Sequence, residues 1–121
     1  MFNVNRVTLL GNAASDPGTP KTASGRSFTV LGLITDRQWK DDQGSKHTEQ
    51  EFHHLVCFGQ LAQVAAERVR KGMPLYVEGR LHMAYWNTTR GQGSRTEIVV
   101  ERLVLLPIGR AGTPDPSEDA A

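Results

Sequence analysis

Four aromatic side chains and a scatter of cations are the residues of this 121-residue chain whose types and spacing could do chemistry. Phe52 to Phe58 reads Phe-His-His-Leu-Val-Cys-Phe. Side chains on a strand alternate between faces, so Phe52, His54, Val56 and Phe58 share one face and His53, Leu55 and Cys57 the other. Two further rings, Trp39 and Trp86, lie far away in the chain. If they end neighbouring strands, the chain carries a platform of spaced rings of the kind on which unpaired nucleic-acid bases stack. The competing reading is that these rings are ordinary barrel core.

The other side chains point to little catalytic chemistry. His47, His53, His54, His82 and Cys57 lack a Cys-x-x-Cys or His-x-x-x-His spacing, and His53 and His54 point to opposite sides of one strand. No metal or other cofactor is expected. Asp41-Asp42 and Glu49-x-Glu51 read as a solvated charged face, and no nucleophile–base pair stands out. Gly91-x-Gly93 lacks the following glycine that nucleotide binding needs. Cys57 reads as a small buried hydrophobe.

The elements that must position these residues follow from periodicity. Asn3–Asn12, Ser27–Thr35, Glu49–Phe58, Pro74–Trp86 and Arg95–Leu106 read as strands. Gly32 inside the second suggests a bulge or tight bend. Asp16–Gly25 and Asn87–Ser94 read as loops, and Trp39–Gly44 as a hairpin tip. Gly59–Lys71 places Leu61, Val64, Ala65 and Val69 at helical spacing, with Gly72 positioned to cap the end. The expected class is all-β: a five-stranded OB-fold barrel with one helix between strands 3 and 4, an arrangement that commonly binds oligonucleotides.

Length fits one domain, expected over residues 1–107, followed by a short, flexible, acidic and disordered tail over 108–121. Residues 1–110 hold all 14 Lys and Arg against 10 acids, a net +4, whereas residues 111–121 hold three acids and no base. A mildly basic body suits a polyanion partner. One cysteine excludes an internal disulfide, and no run approaches the roughly 18 apolar residues of a membrane helix. The N-terminus carries no charged-then-apolar leader, so a soluble, cytoplasmic protein is expected.

In the same order and at nearly the same spacing, the chain resembles the bacterial single-stranded DNA-binding (SSB) protein family. The likeness is carried by Asn5-Arg6-Val7-Thr8-Leu9-Leu10-Gly11-Asn12, Asp16-Pro17, Ser24-Gly25, Trp39-Lys40-Asp41 and Glu51-Phe52-His53-His54-Leu55-Val56. It continues through Phe58-Gly59-Gln60-Leu61-Ala62, Arg70-Lys71-Gly72, Tyr76 to Leu81, Trp86 and Thr96-Glu97-Ile98-Val99, covering residues 3–106. The resemblance implies sequence-independent binding of single-stranded DNA in replication, recombination and repair, by a nucleoid-associated homo-oligomer, usually a tetramer, without catalysis. It implies stacking roles for Trp39, Phe52, Phe58 and Trp86, and an interface role for His53. Arg6, Arg37, Lys40, Arg70, Lys71, Arg80 and Arg95 are the candidate phosphate contacts.

Three departures bear on function. Phe52 stands where the family often has tryptophan. His82-Met83-Ala84-Tyr85 replaces a basic run of the arginine-x-arginine-lysine type, and Gln60 replaces a frequent lysine. The last residues, Pro116 to Ala121, are acidic but lack an aromatic anchor, so recruitment of protein partners through the tail is not expected. The alternative function is an OB-fold primosomal or replication adaptor acting through protein contacts; an OB-containing nuclease is a third reading, disfavoured by the lack of an acid, metal or base cluster.

Overall fold

The computed structural model describes residues 1–107; the acidic tail expected over 108–121 lies outside them. The elements run β1 (Val7–Ala13), β2 (Lys21–Ala23), β3 (Arg26–Lys40), β4 (Lys46–Phe58), α1 (Gln60–Arg68), β5 (Pro74–Thr88) and β6 (Gly91–Leu105). Apart from the three-residue β2, five long strands close a barrel, with the helix between β4 and β5. This is the expected OB-type order with one short strand added. Asp16–Gly25 is therefore not wholly loop: β2 pairs with the start of β3 through a turn at Ser24-Gly25, both at positive φ.

Closure comes from two short seams. Asn12 and Ala13 of β1 pair with Ile34 and Leu33, and Leu55 and Val56 of β4 run parallel to Ile98 and Val99 of β6. Every other pairing is antiparallel. The interior is filled by alternate residues of each strand: Leu31 and Leu33, Leu55 and Cys57, Leu75 and Val77, Ile98 and Val100. The helix plugs one end through Ala62 and Ala65, with Val69 just beyond its end, all three fully buried. The Thr29 hydroxyl, itself buried, donates to the Ala62 carbonyl at 2.8 Å and ties the plug to β3. Truncating a fully buried leucine such as Leu33 or Leu55 removes this packing at a cost of about 2–5 kcal/mol.

The helix is shorter than its pattern suggests. It ends at Arg68, and Val69 is already extended. Gly72 belongs to a following turn, in which Met73 N–H donates to Arg70 C=O and Gly72 N–H to Ala13 C=O. Gly32 sits in uninterrupted pairing between β3 and β4, so no bulge occurs there. The bulge falls instead between Glu78 and Gly79, opposite Arg102 and Val100, where β6 carries the extra residue.

The strands outrun the barrel. β3 and β4 continue as a ribbon to a turn at Asp41–Ser45, and β5 and β6 to a two-residue turn at Thr89-Arg90. The loop expected over 87–94 is thus mostly strand, and Trp39 lies within β3. Because β4 and β6 run parallel, both arms leave the same end of the barrel.

Candidate nucleic-acid interface

Register decides which aromatic rings meet. Residues directly opposite each other on paired strands project to the same face. Val30 pairs with Val56, Val56 with Val99 and Val99 with Arg80, so one row crosses β3, β4, β6 and β5 on the outside of the barrel. Stepping by two from that row places Phe28, Phe52, Phe58, Arg95 and Trp86 on the same outer face. Lys40 and Lys46 end that face at the arm tip, directly opposite one another.

Two of the rings on this face are open to solvent. Phe52 is 54 % exposed and Trp86 44 %. Phe52 lies over the backbone of Gly32, edge-on to His54 with ring centroids 4.9 Å apart. Trp86 lies over Gly93, its partner across β5 and β6. A Cβ at either glycine would occupy the space of the ring, so these positions need glycine for close approach. Phe58 is half-buried against Phe28, with centroids 6.4 Å apart.

Cations accompany the rings. The Arg26 guanidinium lies 4.1 Å from the Phe58 ring centre, and that of Arg95 6.0 Å from Trp86. Arg95 also meets Glu97 at 3.0 Å. Arg80 is exposed on the same face. A guanidinium beside an aromatic face offers a hydrogen-bond fork for phosphate next to a surface on which a base stacks.

Trp39 stands apart. It shares its face with Leu31 and Leu33, and so projects from the β3–β4 arm on the core side, opposite to Phe52 and Phe58. β3 and β5 are not adjacent in the sheet, so Trp39 and Trp86 do not end neighbouring strands and the conditional platform between them does not form. The Trp39 indole is half-buried, stacked across the arm on His47 at 5.3 Å and covered along the strand by Arg37 at 4.4 Å. A groove of about 390 Å³ at this tip is lined by Gln38, Trp39, Lys40, Lys46, His47 and Thr48. Asp41 organises the tip: Oδ1 accepts from the Gln43 and Ser45 N–H groups, and Oδ2 meets His47 Nε2 at 2.9 Å. The His47 contact, reinforced by the Ser45 N–H, holds the Asp41 carboxyl below its ordinary value.

The remaining candidates lie elsewhere. Arg70 folds back on the helix end and donates to the Val69 carbonyl at 2.6 Å. Lys71 follows it, its backbone N–H donating to Asp16 Oδ1. Arg6 is exposed just before β1. His53 is half-buried on the core-side face, with Nε2 2.9 Å from the Thr35 hydroxyl. Burial pushes the Cys57 thiol up to about 12, so it stays protonated and inert. Among the described residues no group of three or more His, Cys, Asp or Glu converges as a metal site.

Sequence reasoning passed over Arg26 and Phe28. The signal was present: aligning Ser27–Thr35 antiparallel with Phe52–Phe58 so that Phe28 meets Phe58 sets Arg26 one step along the same face.

Comparison with known proteins agrees with the fold. The family model described as the single-strand binding protein family matches residues 4–106. An SSB of Plasmodium falciparum, solved in complex with ssDNA, superposes with a TM-score of 0.78 at 25 % identity, covering 88 % of this chain and 98 % of that one. A deletion mutant of the single-stranded DNA binding protein from Thermus aquaticus superposes at 0.75 with 24 % identity. That match covers 86 % of this chain but only 51 % of the Thermus chain, and it speaks for the fold alone.

Proposed function

The chain belongs to the single-strand binding protein family, and from that membership we propose that it binds and protects single-stranded DNA irrespective of sequence. The observation that carries the reading is the convergence of Phe52, Phe58 and Trp86 on one outer face beside Arg26, Arg80 and Arg95. Every base has a π-face, so stacking on these rings contributes about 1–3 kcal/mol per base without reading its identity. The guanidinium and ammonium groups neutralise phosphates and release counterions. Trp39 takes part from the other side of the β3–β4 arm, where a nucleotide would replace His47 or Arg37 against the indole. Lys40 serves the strand at the arm tip. Arg6, Arg37, Arg70 and Lys71 are peripheral contacts, with Arg70 engaged in capping the helix.

The protein acts by coating, without catalysis, in the replication, recombination and repair of cytoplasmic DNA. It does so as a homo-oligomer, proposed to be a tetramer, with the half-buried His53 near a contact between copies. No helix among the described residues is long and apolar enough to cross a membrane.

The test is fluorescence anisotropy with labelled dT, mixed-sequence single-stranded and duplex oligonucleotides of equal length, alongside mass by light scattering. Comparable affinity for both single strands, weak duplex binding and a tetramer mass support the reading. Absence of binding to either single strand overturns it.

A further inference from the structure

The most exposed aromatic ring in β5 is Tyr85, 78 % accessible and next in sequence to Trp86. Alternation sets it on the opposite face of the β5–β6 arm, in line with Leu81 and Met83, which are 48 % and 42 % exposed. It is therefore not core. Its register neighbours on that face are Ser94 directly opposite, with Thr96 and Gln92 one step to either side. None carries a charge.

Charge separates the two arms. Residues 82–97 contain Arg90 and Arg95 against one acid, Glu97, which pairs with Arg95. Residues 36–51 of the β3–β4 arm contain Asp36, Asp41, Asp42, Glu49 and Glu51 against Arg37, Lys40 and Lys46. On that arm Glu51 raises the pKa of Glu49 through a shared hydrogen bond and like charge, a local field that repels phosphate. A polyanion approaching the open end of the barrel is thus drawn to the β5–β6 arm from either side.

We propose that Tyr85 is a second base-stacking residue, making the β5–β6 arm a two-sided post with Trp86 on the outer face and Tyr85 on the inner one. A single strand turning around the arm stacks one base on each ring, while Arg90 at the tip and Arg95 at the flank meet the phosphates between them. The inference rests on the proposed binding of single-stranded DNA and adds a residue to it. A second copy of the chain is the other conceivable occupant of the Tyr85 face. On an identical arm the one nearby carboxylate, Glu97, is already paired with Arg95 and none is left to meet Arg90, which favours the nucleic acid.

The experiment compares dT-oligonucleotide affinity and light-scattering mass for the wild type, Tyr85→Ala, Tyr85→Phe and Trp86→Ala, and maps photocrosslinks from a bromodeoxyuridine oligonucleotide. Tyr85→Ala is expected to weaken binding about 5- to 150-fold at unchanged mass, the fold-change equivalent of one lost stack. Tyr85→Phe, which keeps the ring, should rescue most of the loss, and crosslinks should fall on Tyr85 as well as Trp86. Wild-type affinity in Tyr85→Ala with weakened Trp86→Ala overturns the proposal and leaves the single-strand reading intact. A fall in mass for Tyr85→Ala, with crosslinks confined to Trp86, assigns the face to a second copy and also overturns it. If the wild type binds no single strand at all, the underlying reading fails first.

Discussion

The Phe52 ring rests on the backbone of Gly32, one diagonal step across the β3–β4 pairing. A Cβ at residue 32 would fall inside the ring, so the glycine sets where Phe52 lies and keeps its other face to solvent. Gly93 does the same for Trp86.

Gly32→Ala should therefore force the ring aside, costing about 1–3 kcal/mol of stability by overpacking. Urea denaturation measures it. In the double variant with Phe52→Ala the penalty should largely vanish, since the clash has gone. An undiminished penalty would place the strain in the backbone and not in the ring.

Arg26, over Phe58, is expected to contact phosphate. Arg26→Ala should leave the fold intact and reduce the slope of log affinity against log salt by about 0.7, the share of one contact on a single strand. Titration at three or more salt concentrations reads this. An unchanged slope would confine Arg26 to packing on Phe58.

The whole chain should show a shallower salt dependence than a relative with the full arginine-x-arginine-lysine run. His82, Met83 and Ala84 precede the aromatic pair here, and Gln60 replaces a frequent lysine. Arg80 and Arg26 offset part of that loss. A slope as steep as that of such a relative would contradict this.

Cys57 should resist thiol reagents at pH 8 in the folded protein and react on unfolding. Desolvation raises its pKa from 9.0 to about 12, so the thiolate is scarcely populated below that value. The sign for stability follows: a raised folded value leaves stability intact below pH 9.0, and it falls as pH climbs from there to about 12. Labelling native and urea-unfolded protein distinguishes the cases; rapid native labelling would mean that the β4 core opens.

Much of this was legible in the residues. Period-2 alternation in Glu49–Phe58 and Pro74–Trp86 gave strands of the right face, and the Leu61–Val69 spacing gave the helix. What alternation within one strand does not carry is register between strands. The face shared by Phe28 and Phe58, the place of Arg26 and the separation of Trp39 from Phe52 all depend on which residues pair. Gly32 illustrates the point: an interior strand glycine is read as a bulge until its cross-strand neighbour is known to be a phenyl ring. The Asn87–Ser94 segment misled for a local reason. Its turn-forming residues are mostly strand because the pairing of β5 with β6 continues to Thr88 and Gly91.

The central claim is that single-stranded DNA stacks on the outer-face rings, with Trp86 foremost. Tryptophan fluorescence titration with oligo-dT tests it most directly when run on the wild type, Trp39→Phe and Trp86→Phe. The expected result is strong saturable quenching in the wild type, retained in large part by Trp39→Phe and mostly lost in Trp86→Phe. Binding that leaves Trp86 emission unchanged while affinity is undiminished in Trp86→Phe would contradict the account.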